Sequence, residues 1–206
     1  MAISVELNVG PQAVAAGDGT DINSRAGRTG DQIVSELHGR YFEQMRSGRL
    51  FSAANQASQA LSVGLATTYT GLCLYNPVGS NKVLVPNIIK FAPLSYATFA
   101  VLGLLGGFAA TGGVTAQTTP LTVQSNQIGN TGKAVGIALS AATIVTPTYL
   151  AFLSDANQTT AVSNPNPPTD IGGVFGILPG AFIAFSGNAV ATGFGFMSWE
   201  EVDLPL

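Results

Sequence analysis

The sequence predicts a mainly β protein, a jelly-roll-like antiparallel β-sandwich preceded by an extended N-terminal arm and one amphipathic helix. Three observations predict it. Apolar stretches of strand length alternate with turn residues from residue 61 to the end, no helical pattern separates them, and charge is concentrated ahead of Asn55. Residues 1–54 carry eleven charged side chains, including all five arginines, against eight in residues 55–206. A boundary is therefore expected near Asn55, between an arm-and-helix region (1–54) for anchoring or oligomerisation and a β-sandwich domain (55–206).

The arm opens with Ile3-Ser4-Val5-Glu6-Leu7-Asn8-Val9, whose apolar residues fall on one face of a strand. Gly10-Pro11 ends it, and the Gly-, Asp- and Asn-rich stretch that follows reads as an extended arm. A strand without a partner in its own domain can add to a neighbour's sheet edge. Thr29 and Gln32 have capping-box spacing, and Ile33, Val34, Leu37, Tyr41, Phe42 and Met45 recur at helical intervals. The spacing predicts a helix over about 30–47, with Glu36 and Arg40 as an i,i+4 pair and Gly48 as the stop.

Strands are expected over 61–75, 82–92, 99–110, 121–128, 133–145, 148–154, 173–178, 181–187 and 193–202. Pro86 interrupts the second of these and is tolerated only at an edge or bulge. Asn76-Pro77, Gly112-Gly113, Gly129-Asn130, Pro147, the 163–170 stretch and Pro179-Gly180 mark turns. Residues 149–153 and 182–185 are apolar on both faces of their strands. Either a second subunit or a loop of the same chain covers the outer face.

Charged residues make up 9% of the 206 residues and apolar ones 46%. Such a surface is wetted by Thr, Ser, Asn, Gln and Gly or covered by partners. The net charge of -3 and the absence of aromatics interleaved with Lys or Arg argue against nucleic-acid binding. The uncharged run 91–114 is long enough to span a bilayer, but Pro93, Ser95, Tyr96, Thr98 and its glycines dilute it, so two buried strands and no membrane are expected. No secretory signal pattern opens the chain, which implies synthesis in a cytoplasm.

Catalytic groups are scarce. His38 is the single histidine, so a nucleophilic triad lacks its base. Glu200 and Glu201 are adjacent and point to opposite faces of a strand, a poor geometry for paired-acid chemistry. Cys73, the single cysteine, reads as a small buried apolar residue. Asp155 and Asp170 are isolated, and no calcium-loop or phosphate-loop spacing occurs. The expectation is a non-enzyme without metal or cofactor.

Four segments carry a resemblance. GRYFEQMRSGRLFSAANQ (39–56), TTYTGLCLYNP (67–77), PGAFIAFSGN (179–188) and GFMSWEEV (195–202) resemble segments of virion structural proteins of tailed bacteriophages, in particular trimeric jelly-roll cement proteins. The resemblance spans residues 30–206 loosely. It implies a capsid decoration subunit on the phage head surface, made in the bacterial host cytoplasm, self-associating as a trimer and clamping the major capsid protein. Arg25, Arg28, Arg40, Arg46 and Arg49 are then the expected capsid contacts, their planar forks suiting carboxylates. The alternative is a head-fibre or tail-spike-type receptor or carbohydrate-binding domain, for which Trp199 is the one tryptophan available as a glycan platform.

Overall fold

A computed structural model describes residues 39–94, 102–108, 114–154 and 169–204. The chain divides into two compact units, Met1–Phe42 and Glu43–Leu206. Of the first unit, residues 39–42 are described: the Phe42 amide donates to the Gly39 carbonyl at 2.9 Å, and the Arg40 guanidinium lies 5.5 Å from the centre of the Tyr41 ring. Residues 1–38, which carry the expected arm strand, the capping box, His38, Arg25 and Arg28, lie outside the described residues.

Helix α1 is described over Phe42–Arg46, the last part of the expected 30–47. It ends as the sequence predicts. Gly48 takes φ 71°, its amide donates to the Met45 carbonyl and the Arg49 amide to the Gln44 carbonyl, the paired bonds of a Schellman cap.

The remainder is β. One six-stranded sheet orders β10 (Thr169–Asp170), β4 (Lys82–Pro93), β12 (Ala191–Asp203), β1 (Leu50–Ala54) and β7 (Gln124–Ser125), with β2 (Gln59–Leu61) also paired to β12. The other orders β6 (Val114–Ala116), β8 (Ile137–Ile144), β3 (Thr68–Tyr75), β11 (Ala181–Gly187), β5 (Leu102–Phe108) and β9 (Thr148–Ser154). Every ladder among the described strands is antiparallel, and one isolated bridge, Val63↔Gly187, is parallel. Phe51, Leu84, Ile89, Phe91, Met197 and Trp199 of the first sheet share one buried cluster with Leu72, Leu74, Leu104, Ile183 and Phe185 of the second. This is the sandwich the sequence predicts.

The pairings are nested. β1 pairs with β12, β3 with β11, β4 with β10 and β5 with β9, so the earlier strands meet the later ones in reverse order. β6, β7 and β8 fall between β5 and β9 in sequence and extend the sheets beside β3 and β1.

Two differences from the sequence reading, and one agreement at Pro86, have local causes. β1 lies on the arm side of the boundary expected near Asn55 but is a full member of the first sheet, in register from Leu50↔Glu200 to Ala54↔Phe196. Its apolar Leu50, Phe51 and Ala53 are buried, and only five residues follow the charged stretch, too few to announce a strand. Residues 173–178 form no strand among the described residues beyond a single bridge, Leu84↔Ile177, because Gly172 and Gly173 adopt positive φ and turn the chain. Pro86 sits at a bulge: opposite β12 the register skips from Ile88↔Ser198 to Pro86↔Trp199, and β10 pairs only as far as Ile88, so the missing amide breaks no ladder.

In the second sheet, β11 buries both its faces within one chain. Along β11, Ile183 and Phe185 enter the intersheet core, while Phe182 and Ala184 join Cys73, Leu139 and Ile144 in a second cluster, all at most 2% exposed. Tyr75, Val114 and Ile137 pack on that cluster. Of the two ways to cover an apolar outer face, β11 uses its own chain.

Candidate assembly surface

β9 is the exception. It closes one edge of the second sheet, with β5 as its neighbour and no described strand beyond it. Ala151 and Leu153 pack against the intersheet core, whereas Tyr149 and Leu150 are each 40% and Phe152 67% exposed. The strand is raised on glycines. Tyr149 lies over Gly103, where an added Cβ would come within 2.7 Å of the ring, and Leu150 lies over Gly106, where the distance would be 2.4 Å. The Tyr149 and Phe152 rings stand 5.1 Å apart with a tilt of 32°, presenting an aromatic pair to solvent. Leu150 also lines a cavity of about 300 Å³, together with Gly106, Thr148, Phe175, Ile177 and Phe182. From Ala134 to Ser154 there is no ionisable side chain that carries charge at neutral pH.

The other sheet edges among the described residues are short. β10 and β7 have two residues each, and β2 and β6 three. Brevity is one way in which a protein blunts an edge, because two or three free amides and carbonyls make a poor template for a foreign strand. β9, with seven residues, is not blunted in this way.

The polar side chains singled out in the sequence have structural work. Glu200 and Glu201 do point apart. Glu200 faces Arg49, with 3.3 Å between Nη2 and Oε1. Glu201 is buried and accepts hydrogen bonds from the Val135 amide (2.9 and 3.0 Å), the Gly136 amide (2.8 Å) and the Trp199 indole N–H (3.2 Å). It holds the segment leading into β8 against β12. Trp199 is fully buried in the core and offers no glycan platform. Cys73 is buried between β3's neighbours, and loss of hydration pushes its thiol up to about 12.

Two further ties were not foreseen. The Asn76 side-chain amide donates to the carbonyls of Lys82 (2.8 Å) and Ile177 (2.7 Å), while its backbone amide and carbonyl bond to Ala181 and Gly180. It fastens the β3–β4 turn to the Pro179-Gly180 turn. The Tyr69 hydroxyl donates to the Leu72 carbonyl (3.0 Å) and accepts from the Phe185 amide (3.1 Å), filling the gap where β3 bulges at Gly71 and leaves β11 without a backbone acceptor. Burial drives the Tyr69 pKa well above its ordinary value.

Of the five arginines expected at a capsid contact, Arg25 and Arg28 lie outside the described residues. Arg40 stacks on Tyr41, Arg46 stands 3.9 Å from Glu43, and Arg49 is engaged by Glu200 and by the Ser47 hydroxyl. Arg46 and Arg49 keep about half of their side chains exposed. The described residues hold no group of three or more His, Cys, Asp or Glu able to ligate a metal, and no described helix is long and apolar enough to cross a membrane. Comparison with protein families, curated proteins and solved structures finds no significant match.

Proposed function

We propose that this chain is a structural virion protein, a capsid decoration subunit that self-associates, as a trimer, and clamps neighbouring major capsid proteins on a tailed-phage head. The observation that carries the reading is where the four resembling segments fall in the fold. They contain β1, β3, β11 and most of β12, and these strands pair with each other, β1 with β12 and β3 with β11. The resemblance thus gathers on the two outer pairs of the nested order, which join the beginning of the described β region to its end, rather than on scattered loops. The nested order of all four pairs, read as one long hairpin wound into two sheets, supports a jelly roll for this body.

The physics of the task agrees with the surface. A shell that expands is held better by several modest contacts on one rigid oligomer than by one strong contact, because each bound copy raises the effective concentration of the next. A body with so few charged residues, whose longest edge strand among the described residues carries none, suits permanent contact with other protein. On this reading the arm and its arginines reach the shell while the sandwich associates with other copies.

The test is attachment. The purified full chain is mixed with emptied heads of the phage that encodes it and sedimented. The chain is expected to pellet with the heads, and a version lacking residues 1–28 to stay in the supernatant while remaining β-rich by circular dichroism. Full-length chain that ignores the heads would overturn the decoration role. Truncated chain that pellets equally well would remove the arm from it.

A further inference from the structure

We infer that the cleft between residues 120–125 and 130–137 is a peptide-binding site, which takes an extended acidic segment of the shell protein and sets its carboxylate against Lys133. This rests on the reading of the chain as a capsid decoration subunit and names the chemistry by which it grips the shell.

The cleft encloses about 520 Å³, in the size range of ligand sites, and all its lining residues belong to the segment 114–154, which is described without a break. Its two walls include chain that belongs to no strand, 119–123 and 131–134. Leu121 donates its amide to the Ala138 carbonyl at 2.8 Å. Thr122 and Val123 on one wall, and Thr131, Lys133 and Ala134 on the other, make no backbone hydrogen bond to any described residue. Their neighbours hold the second wall in shape: the Asn130 amide donates to the Gln127 carbonyl (2.9 Å), the Gly132 amide to Asn130 Oδ1 (2.8 Å), and the Val135 and Gly136 amides to Glu201. A site fixed before its ligand arrives loses less freedom on binding. Leu121, Val123 and Ala134 pack against the intersheet core, so apolar side chains back the cleft.

Unpaired amides and carbonyls along two extended walls suit a ligand that brings both in a row, an extended peptide adding as a strand. An inorganic anion would meet the donors and leave the carbonyls and the apolar backing unmatched. Lys133 fixes the charge of the ligand. Of the described cations, Arg40 stacks on Tyr41, and Arg46, Arg49 and Lys82 face Glu43, Glu200 and Asp203. Lys90 and Lys133 remain without a partner among the described residues, and of these two Lys133 lines the cleft. The carboxylate that meets it comes from another protein. Glu43, Glu200 and Asp203 face the cations just named, Asp170 accepts from the Gly172 amide, and Glu201 is taken by two amides and an indole, so no described carboxylate is uncommitted. A two-fold contact of the cleft with itself would set lysine against lysine.

The probe is a capped pentapeptide with one glutamate between valines, titrated into the isotopically labelled full chain and followed by nuclear magnetic resonance. The amide signals of Thr131, Lys133 and Ala134 are expected to move most. Lys133 is exposed and has no bond to lose, so its variants fold. Binding is expected to weaken about fivefold in Lys133→Gln, or when glutamine replaces the glutamate of the probe, and to persist in Lys133→Arg. Methylating alternate nitrogens of the probe leaves the protein untouched and removes strand pairing, and is expected to weaken binding about tenfold. The inference is overturned if no cleft signal moves, if the glutamine probe binds as well as the glutamate one, or if methylation changes nothing.

Head binding is read separately. Lys133→Glu is expected to pellet with heads less than wild type while remaining β-rich by circular dichroism. Equal pelleting keeps the decoration role and overturns the cleft as its grip. Chain that binds the probe at the cleft yet never pellets with heads removes the decoration role, and the shell as the source, while keeping an acidic-peptide site. A synthetic peptide of residues 1–12, which carry Glu6 between Val5 and Leu7, supplies the last control. If it binds the cleft more tightly than the probe and depends equally on Lys133, the site belongs to the arm of another copy and the shell is overturned as its source.

Discussion

β9 and β11 are each seven residues long, lie in the same sheet and are apolar on both faces, yet they end in opposite environments. Phe182, Ile183, Ala184 and Phe185 of β11 are at most 2% exposed, whereas Phe152 of β9 is 67% exposed. Residue type does not separate them. Position does: among the described strands β11 has β3 on one side and β5 on the other, and β9 has β5 alone. A two-faced apolar strand is thus an ambiguous signal, satisfied by its own chain when central and left for a partner when peripheral.

The comparison is broken most forcefully by truncating one phenylalanine in each strand. Phe185 is fully buried, with its ring 6.2 Å from that of Phe91, and its amide is held by Tyr69. Phe185→Ala removes a large core side chain and leaves a cavity, so a loss of about 3–5 kcal/mol is expected in urea unfolding. Phe152→Ala in dilute, dissociated protein is expected to cost under about 1 kcal/mol, since surface changes away from special features are small. Equal losses would mean that β9 is as internal as β11 and that the contrast between them is false.

Glu201 sharpens the same point with a polar residue. It is a carboxylate inside the sandwich, held by two backbone amides and the Trp199 indole. Gln keeps the shape but loses the charge and turns an amide donor toward donors. Glu201→Gln is expected to lower stability by about 2–4 kcal/mol. Faster hydrogen exchange at the Val135 and Gly136 amides than at β12 is the accompanying sign, because the segment leading into β8 is what the carboxylate fastens. Slow exchange at both amides in the variant would show that other contacts hold this segment.

Much of this was legible before the fold was known, and the misses are instructive. β9 and β11 match the expected 148–154 and 181–187 residue for residue, because Pro147 and the Pro179-Gly180 turn open them and strong β formers fill them. Gly48 and Pro179-Gly180 act as their φ preferences require. The expected strand over 121–128 shrinks to the two residues of β7, since Gln124, Asn126 and Gln127 leave it little to bury. Glu201 was readable in part. Strand geometry puts residues two apart on one face, so a buried Trp199 carries Glu201 inward with it, and that signal was present in SWEEV. Asn76 and Tyr69 were not readable, because their partners at Ile177 and Phe185 lie more than a hundred residues away and only the completed topology brings them near. The β9 edge was equally hidden: its composition is that of β11, and exposure depends on which strands end up beside it.

The smallest expected effect belongs to the same strand as Glu201, at its exposed end. Asp203 faces Lys82 in the last rung of the β4–β12 ladder, and the Lys82 ammonium, by its hydrogen bond and its charge, holds the carboxyl below its usual pKa of 3.8. A carboxyl whose folded pKa is depressed binds protons more readily unfolded than folded. Its contribution is therefore present above about pH 4 and is lost as pH falls through the lowered value. Asp203→Asn is expected to be slightly less stable than wild type at pH 6, to equal it near pH 2, and to differ less in 1 M NaCl, where an exposed pair is screened. Chemical denaturation at the three conditions reads this directly. A difference that survives at pH 2 or in salt would mean that Asp203 acts through packing and not through charge. It would also weaken the distinction between a carboxylate that fastens the interior, two residues earlier, and one that only decorates the strand end.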